Sequence, residues 1–151
     1  MNMEQIRQML KKPQIKWVEL SGLYPEILEE RHVKLCMPVA NLHLNHVNTV
    51  YAGSIFALAE LTAGALFFVS YGVDQYAPIV RKAEIQYLKP ATTDISVEAS
   101  MTEEEAQAKI APVNERGKGD MFLELVVKDI ENSECAKVNI NFYCMPVNKI
   151  K

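Results

Sequence analysis

Residues 54–73, SIFALAELTAGALFFVSYGV, are an apolar run twenty residues long whose only ionisable carboxylate is Glu60. A run of that length can cross a bilayer as a helix. Here Glu60, Thr62, Gly64 and Ser70 lie within it, and its flanks carry neither a Lys/Arg cluster nor a paired aromatic belt. In a chain otherwise patterned as soluble, a helix apolar on every side is one that the rest of the chain must enclose. The expected helix covers residues 52–71 and ends at Gly72. No membrane association is expected, and any fold for this chain has to be built around that helix.

The flanking segments supply the enclosure. Residues 3–11 place Ile6, Met9 and Leu10 on one side of a short amphipathic helix within residues 1–12, closed by Pro13. Residues 15–20 are too short to assign. Residues 32–38 read as a strand, and residues 41–48 (NLHLNHVN) as a polar turn, because Asn side chains satisfy nearby backbone groups and tolerate unusual dihedrals. Beyond the apolar helix, strands are expected at 79–88, 95–99, 121–130 and 136–145, the last two joined by a turn at 131–133. Residues 103–115 are rich in helix formers behind Thr102, with an interruption expected at Pro112. One strand, one enclosed helix and four strands, with few connections long enough for parallel crossovers, predict an α+β fold. A single domain over residues 1–151 wraps an antiparallel sheet around a long central helix. Its sheet edges favour a homodimer or a dimer of dimers.

Charge and cysteines narrow the function. A formal net charge of −3 disfavours a nucleic-acid partner. The first twelve residues carry charges throughout, without the apolar core of a secretion signal. Cys36, Cys135 and Cys144 are odd in number and widely spaced, so they read as reduced, buried residues of a cytoplasmic protein.

Glu60 is the feature that points to chemistry. Between Lys34 and Asp74 no other Asp, Glu, Lys or Arg occurs. A carboxylate in so apolar a helix loses hydration unless it faces a cleft or a polar partner, and burial raises its pKa toward a useful general-base range. A structural role, bonded to a neighbouring backbone or hydroxyl group, is the other reading. Gly53 stands two helical turns earlier on the same face, where free amides carry partial positive charge. Such amides can hold a developing oxyanion, and the small residues Ala52, Gly53 and Ser54 let a ligand approach.

The run from Asn45 to Glu60 (NHVNTVYAGSIFALAE) resembles the signature of phenylacetyl-CoA-type hotdog thioesterases: an Asn, then His-Gly-Gly at the helix start, then Leu-Ala-Asp. It is more similar still to an uncharacterised thioesterase-like hotdog subgroup reading Asn-x-x-Gly-Thr-x-x-x-Gly-Ser and later Tyr-Leu-Lys-Pro-Ala, which stands here at Tyr87 to Ala91. The resemblance implies a hotdog fold and hydrolysis of an acyl-CoA or acyl-carrier thioester, with no cofactor or metal. It places Glu60 as general base or nucleophile, Asn45 as the group that positions water or the thioester, and Gly53 in the oxyanion site. It also implies that the site forms between two subunits. His46, Tyr51, Ala52, Ser54, Arg81 and Lys82 are the expected substrate contacts; Arg81, Lys82 and Lys89 could meet CoA phosphates, a solvated strand face being the other reading of each. The chain departs from the pattern in having Tyr51-Ala52-Gly53 for His-Gly-Gly, Glu for Asp, and Val80 where some members carry a hydroxyl. Two alternatives remain. One is a non-catalytic hotdog protein that binds an acyl or aromatic ligand. The other is a 3-hydroxyacyl thioester dehydratase, suggested by the spacing of His46 from Glu60.

Overall fold

A computed structural model describes residues 3–12 and 15–150. Its elements in chain order are α1 (Met3–Lys11), α2 (Lys16–Ser21), β1 (Tyr24–Glu29), β2 (His32–Met37), α3 (Ala52–Tyr71), β3 (Tyr76–Tyr87), β4 (Ile95–Ser100), α4 (Glu103–Arg116), β5 (Gly119–Asp129) and β6 (Glu134–Pro146). The helix-closing Pro13 and the side chain of Leu10 lie outside the described residues.

All six strands form one antiparallel sheet in the order β1-β2-β4-β5-β6-β3. Alternation along them puts one row of side chains on the inside, among them Leu35, Val97, Leu125 and Ile140, and a polar row on the outside. The inner row packs on α3, whose Leu58, Thr62, Leu66 and Val69 are buried. This is the hotdog architecture. The hydroxyl of Thr62, completely enclosed, donates to the Leu58 carbonyl at 2.7 Å and so leaves no polar group orphaned there. α3 therefore serves as the core helix of the fold, although its length and composition would also suit a membrane span.

Four expectations need correction. Residues 24–29 are a strand, making two strands before α3. As an edge strand with Pro25 near its start and a bulge between Pro25 and Ile27, β1 carries only weak alternation. Residues 16–21, unassigned from sequence, are the helix α2, stopped by Gly22 in the left-handed region. β3 begins earlier than expected, at Tyr76. Pro112 does not interrupt α4. It sits on the exposed side, so the carbonyl deprived of a partner can turn to water, while buried Ala106, Ile110 and Val113 hold the helix to the sheet. The expected cap is present: the Glu105 amide donates to Thr102 Oγ1 at 3.1 Å, and the Thr102 amide to Glu105 Oε2 at 2.8 Å.

Candidate functional site

One face of α3 carries Glu60, Gly64 and Phe68, spaced by four residues and hence stacked in one column. It is covered by the N-terminal helices. Between them lies a cavity of about 270 Å³ lined by Ile6, Met9, Ile15, Val18, Phe68 and Phe142, together with Glu60 and Gly64. Among the described residues Glu60 is its only charged lining residue. Among the described residues nothing donates a hydrogen bond to the Glu60 carboxylate and no cation pairs with it. Burial alone pushes its pKa above the ordinary carboxylate value. A partly buried, partnerless carboxylate beside an apolar void is the arrangement in which a general base is held ready.

A second group of residues builds the start of α3. Asn45 closes the preceding loop on itself: its Oδ1 accepts from the amides of Val47 at 3.0 Å and Thr49 at 3.1 Å, while its Nδ2 donates to Thr49 Oγ1 at 2.8 Å. Asn48 takes φ 60°, the unusual dihedral expected of this turn. Tyr51 is the N-cap, and its carbonyl accepts from the amides of Ser54 at 2.9 Å and Ile55 at 3.1 Å. The earlier amides, of Ala52 and Gly53, have no acceptor among the described residues, as expected of a first turn. The Tyr51 ring lies against Gly53, where a Cβ would run into its Cε1 and Cδ1 edge. A residue larger than glycine at position 53 would have to displace that exposed ring.

The remaining expected contacts are placed apart from this face in the single chain. Arg81 stands at a bulge between Val80 and Lys82, forks onto Asp120 at 2.9 and 3.1 Å, and lies 4.5 Å over the Tyr143 ring. Lys82 pairs with Glu84 at 2.8 Å. Both cations belong to the solvent face of the sheet, opposite α3. His46 is exposed, and Ser54 is buried at the helix start. A larger open groove of about 900 Å³ runs where β4 and β5 separate, but Glu60 is not among its lining residues.

Sequence reasoning does not pick out two participants. Tyr87, marked in sequence only as part of a motif, donates its hydroxyl to the Ala52 carbonyl at 3.0 Å and so docks the end of β3 on the start of α3. The second is the roof formed by α1 and α2, for which the only signal is the apolar side of residues 3–11.

Residues 20–144 match the model of a family described as a domain of unknown function, DUF4442. A Pseudomonas aeruginosa protein of unknown function, a probable thioesterase, is 35% identical and superposes with a TM-score of 0.86, with 97% of each chain covered. A thioesterase from Haemophilus influenzae, 12% identical, has a TM-score of 0.74 over 99% of this chain and 94% of its own. A Streptococcus mutans protein solved with acetyl-CoA bound, 16% identical, reaches 0.63 over 82% of this chain and 89% of its own. A search of the curated proteins found no match.

Proposed function

The chain belongs to the DUF4442 family, a thioesterase-like hotdog subgroup, and we propose that it hydrolyses an acyl thioester of coenzyme A or of an acyl-carrier protein at Glu60. The observation that carries this reading is the Glu60 carboxylate, without a partner and raised in pKa, at the wall of an apolar cavity. Glu60 takes a proton from water as the water oxygen bonds to the thioester carbonyl carbon. The C–S bond then breaks, and the proton returns to the departing thiolate. The free amides near Gly53 face the developing oxyanion. Asn45, whose Nδ2 retains one hydrogen beyond its bond to Thr49, orients the water from the partner protomer.

That arrangement calls for a homodimer, which β3 suits. It is a twelve-residue edge strand with Ile79 and Val80 exposed, whereas the other edge, β1, is only six residues long and in contact with α1 through an Arg7 to Leu28 hydrogen bond. The bound acetyl-CoA of the Streptococcus mutans protein supports CoA as the carrier. Three buried free cysteines suit a reducing, cytoplasmic setting.

The test is release of free thiol from a panel of acyl-CoAs by the native protein and by Glu60→Gln. Thiol release that needs Glu60 supports the reading, and equal rates from both proteins remove Glu60 from the chemistry. A binding module is the second reading, favoured by the Asn45 amide already being engaged in its own loop and by the ring of Tyr51 against Gly53. Saturable acyl-CoA binding without turnover decides for it.

A further inference from the structure

Gly64 sits in the middle of α3, and apart from the helix's own backbone no atom of the described residues lies within 4 Å of where its Cβ would stand. Glycine is the poorest helix former after proline, costing about 1 kcal/mol relative to alanine in a helix interior. Among the described residues no side chain or neighbouring backbone occupies this room. The space opens into the cavity beneath α1 and α2, with Glu60 one turn before it and Phe68 one turn after.

We infer that the cavity seats a straight, medium-length acyl chain running along α3 from Glu60 past Gly64 toward Phe68, and that Gly64 sets the length admitted. Among the described residues the walls are apolar except at Glu60 and offer no partner for a polar tail. Glu60 and Phe68 are eight residues apart on the helix, or roughly 12 Å; an all-trans chain of 1.5 Å bonds advances about 1.3 Å per carbon, so about nine carbons cover that distance. A bulkier wall residue at Gly64 divides the cavity and leaves only the part beside Glu60.

The identity of the head group rests on the thioesterase reading, but the occupancy of the cavity does not, and the experiment separates them. Hydrolysis of butanoyl-, hexanoyl-, octanoyl-, decanoyl- and dodecanoyl-CoA is compared for the native protein, Gly64→Ala and Gly64→Leu, with decanoate binding measured by calorimetry on each. The native profile is expected to peak at octanoyl- or decanoyl-CoA. Gly64→Leu is expected to lower the ratio of kcat/KM for decanoyl-CoA to that for butanoyl-CoA roughly tenfold or more, since single methylenes in a fitted pocket already discriminate by about that factor. Gly64→Ala, which favours the helix, keeps the test alive if the leucine variant does not fold, and moves the profile the same way by less. An unchanged chain-length profile in both variants, with hydrolysis intact, overturns the inference and leaves the thioesterase reading standing. Decanoate binding that is lost on substitution, with no thioester hydrolysed by any protein, does the reverse. Native decanoate binding that both variants retain in full overturns the inference as well.

Discussion

The Tyr87 hydroxyl and the Ala52 carbonyl, 3.0 Å apart, join the last residue of β3 to the first of α3. At the other end of the same helix the Tyr71 hydroxyl donates to the Ala106 carbonyl of α4 at 2.9 Å. α3 is thereby pinned at both ends, which holds the Glu60 column in place against the roof. The Ala52 bond also ties the first turn of α3 to the strand that we propose as the subunit interface.

Tyr87→Phe removes only that hydroxyl. A hydrogen bond of this kind contributes about 1 kcal/mol, and partial exposure of Tyr87 reduces the figure. A melting-temperature drop of a few degrees at most is expected, with a larger proportional loss in thioester turnover. A turnover unchanged within error would show that the first turn of α3 does not need this anchor.

Glu60 links pH to both stability and activity. Its folded pKa is raised, so its charged form is the unfavourable one in the native state. Stability associated with Glu60 is full below the unfolded carboxylate pKa and falls as pH rises through the folded value. Glu60→Gln should therefore be more thermally stable than the native protein at pH 7, with the gap closing in acid. In the same variant turnover should drop by roughly a hundred- to ten-thousandfold. Native turnover should rise with pH across a midpoint above that of an ordinary carboxylate. A stability gap that widens in acid would contradict this direction of linkage.

Tyr51 and Gly53 should be coupled. Gly53→Ala alone gains helix propensity but must displace the Tyr51 ring, so its net effect on stability should be small. In a Tyr51→Ala background the same change should stabilise by up to about 1 kcal/mol. A double-mutant cycle by urea unfolding measures the difference, and additive effects would mean that the ring does not rest on Gly53 in solution.

Thr102→Ala breaks the reciprocal bonds with Glu105 and should lower stability by about 1 kcal/mol. Catalysis should change little, since the Thr102 and Glu105 side chains take no part in the Tyr71–Ala106 bond. This variant is a useful control for stability effects in the others.

Val80→Lys places a charge on the exposed edge of β3. If β3 pairs between subunits, light scattering should give the mass of a dimer for the native chain and of a monomer for the variant, and thiol release should fall with it. A monomeric native chain that hydrolyses thioesters would remove the partner's Asn45 from the mechanism.

The limits of α3 were legible because composition alone sets them: twenty residues, apolar on every side, from Ala52 to Tyr71, with Gly72 after. The Thr102 cap was legible because its chemistry is local. β1 was missed, since an edge strand with Pro25 and a bulge needs no clean alternation. α4 ran through Pro112 because burial of Ile110 and Val113 outweighs one missing hydrogen bond on an exposed side. Glu60 stood out in sequence as a charge where none belongs. Gly64 did not, because whether a helical glycine faces a neighbour or a void depends on residues far away in the chain.

The sequence by itself determined that one apolar helix must be enclosed, that a strand-rich remainder would enclose it, and that a lone carboxylate would lie within. Hydrophobic patterning is enough for this, because it records which residues avoid water. It does not record which element covers them. Only the tertiary structure decided that the sheet takes one side of α3 and the N-terminal helices the other, that Glu60 and Gly64 fall on the side with space left over, and that Arg81 and Lys82 face away. Those outcomes follow from the joint packing of α1, α2, β3 and β6 around a helix whose sequence is nearly as apolar on one face as on another.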